Sequence, residues 1–220
     1  MELKKLFPTI FESLCNIVKK IGNANSITMS YIDTPIGQMI VGATGKGICL
    51  AIFSDCKIAY ECFIKNHNIV VDTNSILQYN PDSNKYIKQL RRELGEYFMK
   101  MRTTFSVPLD LKGNEYQIQT WKYLQTIPYG EVKSYKDECT TLGRRLSFRA
   151  TSSANKRNPV NIVIPCHRVI NHNGSLGGYS GGLDRKVFLL KFENEELGNK
   201  ILQRSREVVD SKSLAEYLKM

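Results

Sequence analysis

The chain has no long hydrophobic run, only three histidines and a single tryptophan among its 220 residues. No apolar stretch approaches the roughly 20 residues that a membrane-spanning helix needs, so we expect no membrane association. The N-terminal stretch MELKKLFPTIFESLCNIVKKIG is amphipathic and is interrupted by Glu12, which makes it a poor secretory signal. We therefore expect an intracellular location, in the cytoplasm or, in a eukaryote, in the nucleus.

The six cysteines form no C-x-x-C pair. A zinc site built from Cys56, Cys62 and His67 is conceivable, but the spacing matches no common ligand pattern, so we expect no metal. Scattered cysteines in an intracellular chain are most simply reduced thiols that pack as small hydrophobic residues.

The positive charge of the chain is concentrated in one segment. The formal net charge is +10, and residues 111–192 contain 13 Lys and Arg against 5 Asp and Glu, a net charge of +8. A local excess of this size is typical of a surface that binds a polyanion, and a merely soluble basic surface is the alternative.

The first hundred residues predict an α+β unit with no obvious chemistry. Three strand-like runs, SITMSYIDT, GQMIVGAT and GICLAIFSD, are separated by short Gly-containing turns, which predicts an antiparallel meander. A cap-like sequence and helical periodicity predict a helix over residues 82–99. Further helices are predicted over 3–21 and 57–65, and a strand over 69–71.

The second half predicts short helices in a helix-turn-helix order. These are predicted over residues 115–127, 134–142 and 146–156, with Ser134 as an N-cap and Gly143 ending the second helix. A further helix is predicted over 183–193, and the charged tail beyond it is also expected to be helical. Several basic side chains surround the helix over 146–156, which we call the recognition helix: Arg144, Arg145, Arg149, Lys156 and Arg157. This clustering inside the basic segment favours a DNA-binding element.

The stretch IVIPCHRVI, residues 162–170, places Cys166 directly before His167. One interpretation is a strand that ends at the proline, followed by a structural cysteine, since cysteine is among the most buried residue types. The other is a nucleophile, because a thiol becomes reactive when a base or positive surroundings deprotonate it. A glycine-rich loop follows, with Tyr179 available to stack on a flat ligand and Ser180 to donate a hydrogen bond.

The residues around Cys166 resemble the active-site signature of the O6-alkylguanine-DNA alkyltransferases, also called methylated-DNA–protein-cysteine methyltransferases. The resemblance depends on four motifs: YGEVKSY at 129–135, NP at 158–159, PCHRV at 165–169 and GGYSGGL at 177–183. With a looser similarity that reaches back to Ile27, it covers most of the chain.

This resemblance implies an α+β fold with two domains. Residues 26–110 would form a ribonuclease-H-like α/β domain with a small antiparallel sheet, and residues 111–196 a mostly helical domain like a winged helix-turn-helix. A helical extension, residues 1–25, and a helical tail, residues 197–220, would flank them.

The resemblance also implies DNA repair by direct, stoichiometric transfer of an alkyl group to the chain's own cysteine. The substrates would be O6-alkylguanine, and also O4-methylthymine, in double-stranded DNA. Because the alkylated atom lies inside the stacked duplex, the nucleotide would have to be flipped out. The protein would act as a monomer without a cofactor, since the DNA itself donates the alkyl group.

For the positions that match the family's motifs, the resemblance implies specific roles. Cys166 would accept the alkyl group, His167 would act as a base through water, and Glu193 would orient His167. Asn158 would support the turn at the site, and Tyr135 would help rotate the nucleotide and lend a proton to the leaving guanine. The DNA-contacting residues would be Arg149, which fills the gap left in the duplex, Arg157, Ser134 and Lys156. The base pocket would be lined by Tyr179, Ser180, Gly177 and Val169.

The recognition helix departs from the family pattern. Phe148 stands where small residues are usual, and Ser152 stands where glycine is usual. A phenylalanine that faces DNA would hinder close approach to the minor groove, whereas one that faces the core would not. Asn161 replaces a proline that contacts bulky adducts in some members.

Two other functions fit parts of the sequence. A non-catalytic protein that senses alkylated bases or regulates transcription would usually lack the cysteine. A cysteine hydrolase that uses Cys166 and His167 would release its product over many turnovers, and the sequence singles out no oxyanion hole for it.

Overall fold

The computed structural model of the chain describes residues 27–56, 84–143 and 147–208. They form two compact units: the first holds residues 27–51 and 84–112, the second residues 52–56, 113–143 and 147–208. Within these ranges no helix is long and apolar enough to cross a membrane.

Several predicted elements lie outside the described residues. These are the helices over 3–21 and 57–65, the strand over 69–71 and the end of the helical tail beyond residue 208. The first residue of the predicted recognition helix, 146, is also outside, so the connection that precedes this helix is not described.

A three-stranded sheet begins the described chain. Strands β1 (Thr28–Thr34), β2 (Gly37–Ala43) and β3 (Ile48–Phe53) neighbour one another in chain order. β1 and β2 are antiparallel, with Thr28 opposite Ala43 at one end and Thr34 opposite Gly37 at the other. Gly37 has a φ of 123°, a conformation that this tight turn requires and that side chains disfavour. The predicted strand order is confirmed.

Helix α1 (Lys85–Phe98) packs against β1 and β2. It begins where the Asn84 side chain accepts hydrogen bonds from the backbone N–H groups of Tyr86 and Ile87. Its buried apolar side chains recur at helical spacing: Ile87, Leu90, Leu94 and Tyr97. The predicted helix is therefore confirmed, with slightly shorter bounds.

The second unit is mostly helical. Its helices are α2 (Glu115–Leu124), α3 (Tyr135–Thr141), α4 (Phe148–Lys156), a 3-10 turn (Cys166–Arg168), α5 (Leu183–Glu193) and α6 (Glu195–Val208). Two short strands, β4 (Lys133–Ser134) and β5 (Val169–Ile170), pair in parallel and were not predicted. Together with the small antiparallel sheet, these helices confirm the predicted α+β class.

Helix α4, the observed recognition helix, packs against both α2 and α3. The Trp121 side chain on α2 is 1% exposed and donates a 3.0 Å hydrogen bond from Nε1 to the carbonyl oxygen of Ala154 on α4. A second apolar cluster joins β5, the following loop and the last two helices: Ile170, Leu176, Leu190 and Ile201. Helix α5 also contacts the 3-10 turn that carries Cys166.

Candidate active site

The apolar run before Cys166 is a tight turn, not the strand that one interpretation of the sequence predicted. The Asn158 side chain organises it: Oδ1 accepts from the backbone N–H of Val160 at 3.0 Å, and Nδ2 donates to the carbonyl oxygen of Ile164 at 2.7 Å. Ile162 has a φ of 72°, which is rare for a β-branched residue and costs about 1 to 3 kcal/mol. The backbone at the site is therefore strained.

Cys166 opens the 3-10 turn and is 6% exposed. Its sulfur accepts a 3.1 Å hydrogen bond from Asn158 Nδ2, so one amide holds both the turn and the thiol. Burial raises the pKa of Cys166 to about 11, although Asn158 and the Lys186 cation act in the opposite direction. The resting group is a protonated thiol, and a base has to remove its proton before it can attack.

His167, which directly follows Cys166 in the sequence, forms a buried pair with Glu193. His167 Nε2 lies 2.9 Å from Glu193 Oε1, and the side chains are 0% and 1% exposed. Burial lowers the pKa of His167, which keeps the ring neutral with its proton on Nε2, facing the carboxylate. Nδ1 is then a proton acceptor, and it has no hydrogen-bond partner among the described residues.

Arg168 locks the carboxylate in place. Its Nε and Nη2 donate to Glu193 Oε2 and Oε1 at 2.8 and 2.9 Å, and Nη1 donates to the carbonyl oxygen of Ile127 at 2.6 Å. Burial alone would raise the pKa of Glu193, yet His167 and Arg168 hold this pKa well below its usual range. Glu193 is therefore ionised and fixed in orientation.

Lys186 is fully buried, which is rare for a lysine side chain. Its Nζ donates to the carbonyl oxygens of Val169 at 2.6 Å and Gly178 at 3.1 Å. Burial lowers the pKa of Lys186 to about 7, although nearby Cys166 acts in the opposite direction. A cation close enough to interact with the sulfur stabilises its thiolate form.

A small cavity adjoins the sulfur. It measures about 10 Å³, the room for about one water, and is lined by Tyr135, Asn155, Lys156, Cys166, Gly178, Tyr179 and Ser180. The Tyr179 hydroxyl and the Ser180 Oγ are buried and have no hydrogen-bond partner in the described part of the chain. Unsatisfied polar atoms around a nucleophile are typical of a site that awaits a polar ligand.

The other predicted pocket residues lie near this cavity. Val169 is fully buried and supplies a carbonyl oxygen to Lys186. Gly177 has a φ of 67°, and a Cβ there would lie 3.3 Å from the Tyr135 ring, so glycine permits the close approach of the loop. Burial, with Cys166 and Glu138 nearby, raises the pKa of Tyr135 to about 12, so its hydroxyl stays protonated at neutral pH.

The predicted DNA-contacting residues occupy different environments. Arg149 and Lys156 are exposed on α4. Arg157 Nη1 instead donates to the carbonyl oxygen and the hydroxyl of Ser153. Ser134 caps α3 in a reciprocal pair with Asp137.

The two residues of α4 that differ from the family pattern lie in different environments. Phe148 is 43% exposed, so it is not a core residue. Ser152, in the place of the usual glycine, is hydrogen-bonded to the Tyr135 side chain.

Sequence reasoning missed three polar contributors: Lys186, Asn155 and Glu138. Asn155 Nδ2 donates a 2.9 Å hydrogen bond to Glu138 Oε2, and both side chains are buried. Burial raises the pKa of Glu138 to about 8, against the effect of this hydrogen bond. No sequence signal marks these positions, because a Lys, an Asn and a Glu on amphipathic helices are ordinarily solvated.

The described residues contain no cluster of potential metal ligands. Within 27–56, 84–143 and 147–208, no three His, Cys, Asp or Glu side chains lie together so as to hold an ion. Of the conceivable zinc set, Cys62 and His67 lie outside these ranges.

Two family models match the chain in consecutive segments. Residues 27–111 match the ribonuclease-like domain of the 6-O-methylguanine DNA methyltransferases. Residues 115–195 match the DNA-binding domain of the same family.

Individual relatives agree with these models. The methylated-DNA–protein-cysteine methyltransferase of Methanosarcina barkeri is 36% identical over 166 residues, which cover 76% of this chain and 96% of the relative. The constitutive methylated-DNA–protein-cysteine methyltransferase of Bacillus subtilis is 34% identical over 162 residues, which cover 73% of this chain and 92% of the relative. The crystal structure of Mycobacterium tuberculosis OGT in complex with DNA superposes with a TM-score of 0.63 at 30% identity, covering 80% of this chain and 98% of that one. The chain therefore belongs to the family of methylated-DNA–protein-cysteine methyltransferases.

Proposed function

We propose that the protein repairs O6-alkylguanine in double-stranded DNA by transferring the alkyl group, once, to its own Cys166. The observation that carries this proposal is the buried thiol held by Asn158 beside a neutral histidine, a fixed carboxylate and a buried lysine. Residues 111–196 would form the catalytic and DNA-binding domain. The protein would act as a monomer in the compartment that holds the DNA, the cytoplasm or, in a eukaryote, the nucleus.

Deprotonation of Cys166 starts the reaction. Nδ1 of His167 accepts the thiol proton through a water, because Nε2 already donates to Glu193. The ionised Glu193 stabilises the imidazolium that forms, and Arg168 keeps the carboxylate in place. The Lys186 cation favours the thiolate that is left behind.

Attack by the thiolate at the alkyl carbon forms a carbon–sulfur bond and breaks the carbon–O6 bond. The electron pair of the broken bond leaves with the guanine, which takes up a proton from the Tyr135 hydroxyl. The proton that His167 accepted from Cys166 then returns to Tyr135. A thioether offers water no reactive centre at neutral pH, so Cys166 is not regenerated. Each chain therefore acts once.

Access to the sulfur requires two movements. The target nucleotide has to leave the base stack, which costs a few kcal/mol. The cavity of about 10 Å³ has to widen to admit a base, and the glycines that flank Tyr179 and Ser180 allow the loop to move. Exposed Arg149 on α4 would fill the gap in the duplex, and the basic segment would bind phosphates without regard to sequence.

Intact-protein mass spectrometry tests the proposal. The full chain is mixed with a duplex that contains a single O6-methylguanine, and the Cys166→Ala variant and an undamaged duplex serve as controls. We expect a stoichiometric gain of one methyl group that is absent from both controls. Binding to the lesion without any mass change would assign the protein to the non-catalytic sensors instead, and several turnovers per chain would contradict the single transfer.

A further inference from the structure

A short segment at the end of β3, residues 53–56, contacts the glycine-rich loop over residues 177–182. We call this segment the latch. The loop supplies Tyr179 and Ser180 to the wall of the cavity beside Cys166, whose side chain is 6% exposed. Because a molecule reaches the sulfur only when this cavity widens, the contacts that hold the loop in place also control access to the thiol.

Arg185, in the first turn of α5, joins the latch to the loop. Its Nη1 lies 2.8 Å from Asp55 Oδ1 and also donates to the carbonyl oxygen of Gly181 at 2.8 Å. The guanidinium lies over the Phe53 ring, 4.3 Å from the ring centroid, in a cation–π contact. The Arg185 and Asp55 side chains are 16% and 61% exposed, so this ion pair lies at the surface, where water can replace the carboxylate.

Two further contacts connect the latch with the loop backbone. The Cys56 thiol, on a side chain that is 5% exposed, lies 2.9 Å from the carbonyl oxygen of Ser180 and donates to it. Gly181 packs directly on Phe53, since a Cβ at this glycine would lie 2.9 Å from the Phe53 ring. The latch thus contacts the loop at two consecutive residues, next to the two side chains that line the cavity.

The loop depends on these outside contacts because it has few side chains of its own. Four of its six residues are glycine. Segments with few buried apolar side chains open locally at a free-energy cost far below that of global unfolding. The contacts made by the latch and by Arg185 therefore account for a large share of the cost of opening this loop.

We propose that the latch, fastened by the ion pair between Asp55 and Arg185, holds the glycine-rich loop closed and so controls access to Cys166. Asp55 and Arg185 are then positioning residues that act on the thiol through the loop. Control by the latch does not depend on the transferase function above, because any small electrophile that reaches the sulfur reports the opening.

Alkylation of the folded full chain by iodoacetamide measures the opening. The thiolate forms a carbon–sulfur bond with this uncharged reagent, iodide leaves and the thiol proton goes to the buffer. Peptide mass spectrometry gives the rate at each cysteine. Asp55→Asn keeps the shape of the side chain but removes its charge, and should raise the rate at Cys166 about threefold, in keeping with an exposed ion pair. Arg185→Met removes the ion pair, the hydrogen bond and the cation–π contact together, and should raise this rate at least about tenfold.

The two variants distinguish opening from a direct effect of charge on the thiol. Loss of the Asp55 carboxylate favours the thiolate of Cys166, whereas loss of the Arg185 cation disfavours it. A purely electrostatic effect would therefore change the two rates in opposite directions, and release of the latch raises both. Asp33→Asn, the same substitution at an exposed position of β1, should leave the rate at Cys166 unchanged.

Two other buried cysteines serve as the internal control for unfolding. Cys49 and Cys139 are 1% and 0% exposed and belong to neither the latch nor the loop. Their rates should stay at the wild-type values, whereas the rate at Cys56 should rise together with that at Cys166.

Three results would overturn the latch: wild-type rates at Cys166 in both variants, opposite changes in the two variants, or equal acceleration at all four cysteines. The last result would mean that the ion pair stabilises the whole fold and does not hold the loop. A protein that gains no methyl group from O6-methylguanine, but whose Cys166 reacts with iodoacetamide as expected, rejects the transferase function and leaves the latch standing.

Discussion

At the scale of single residues, two buried ionisable groups, the Cys166 thiol and the Lys186 amine, influence each other's protonation. Burial raises the pKa of Cys166 to about 11 and lowers the pKa of Lys186 to about 7. Burial favours the neutral form of each group, whereas the presence of the other favours its charged form. The thiolate and the ammonium therefore stabilise each other, and the loss of either charge shifts the protonation of the other group.

Lys186→Gln tests this coupling. Glutamine keeps N–H donors for the carbonyl oxygens of Val169 and Gly178 but removes the charge, so the pKa of Cys166 should rise further. We expect the single-turnover methyl-transfer rate at neutral pH to fall about tenfold, the effect of one pKa unit, and its pH profile to move to higher pH. Lys191→Gln, on the same helix, removes the same charge and should leave the profile in place. Identical profiles for both variants would show that Lys186 does not interact with the thiol.

At the scale of elements, local signals predicted the regular structure well. Helices α1, α2 and α3 begin at capping residues that are visible in the sequence: Asn84, Asn114 and Ser134. The strand-like runs and the glycines in the turns between them likewise predicted the positions of β1 and β2. Helix α2 ends at Leu124, three residues before its predicted end, and turns lead from there to Pro128, which cannot continue a helix.

Elements that depend on distant contacts were not predictable in this way. The apolar run at 162–164 has the composition of a strand, but the Asn158 amide bends it into a turn with Ile162 at a positive φ. The two-residue strands β4 and β5 are too short to show any periodicity. At the site, the motif around Cys166 led to the prediction of a nucleophile and a neighbouring histidine base through a family resemblance, whereas the inward direction of Lys186 and Glu138 follows only from packing.

The start of α3 allows a prediction about Ser134, which was expected to contact DNA. Its Oγ accepts from the Asp137 N–H at 3.1 Å, and its backbone N–H donates to Asp137 Oδ2 at 2.9 Å, which completes a capping box. Ser134→Ala should lower the free energy of unfolding by about 1 kcal/mol, measured by urea denaturation, whereas Ser134→Gly should cost only a few tenths. If the hydroxyl contacts DNA, both variants weaken binding equally. If its role is the cap alone, Ser134→Gly binds like the wild type.

At the scale of the whole molecule, the uneven charge governs the approach to DNA. Residues 111–192 carry a net charge of +8 out of the total of +10, and they include the recognition helix. Binding that relies on phosphate contacts releases counterions, so the affinity falls steeply with salt. The position of each cation should matter as much as the net charge of the segment, because only a cation that reaches a phosphate displaces a counterion.

Lys156 and Arg157 form a matched pair for testing that point. They are adjacent and equally charged, yet Lys156 is exposed while the Arg157 guanidinium is hydrogen-bonded to Ser153 on its own helix. Fluorescence anisotropy with an undamaged duplex gives the slope of log Kd against log salt concentration. Lys156→Gln should reduce this slope by about 0.9, the value for one phosphate contact, and Arg157→Gln should change it less. Equal changes for both variants would mean that the net charge of the segment, and not the placement of each cation, controls the binding of DNA.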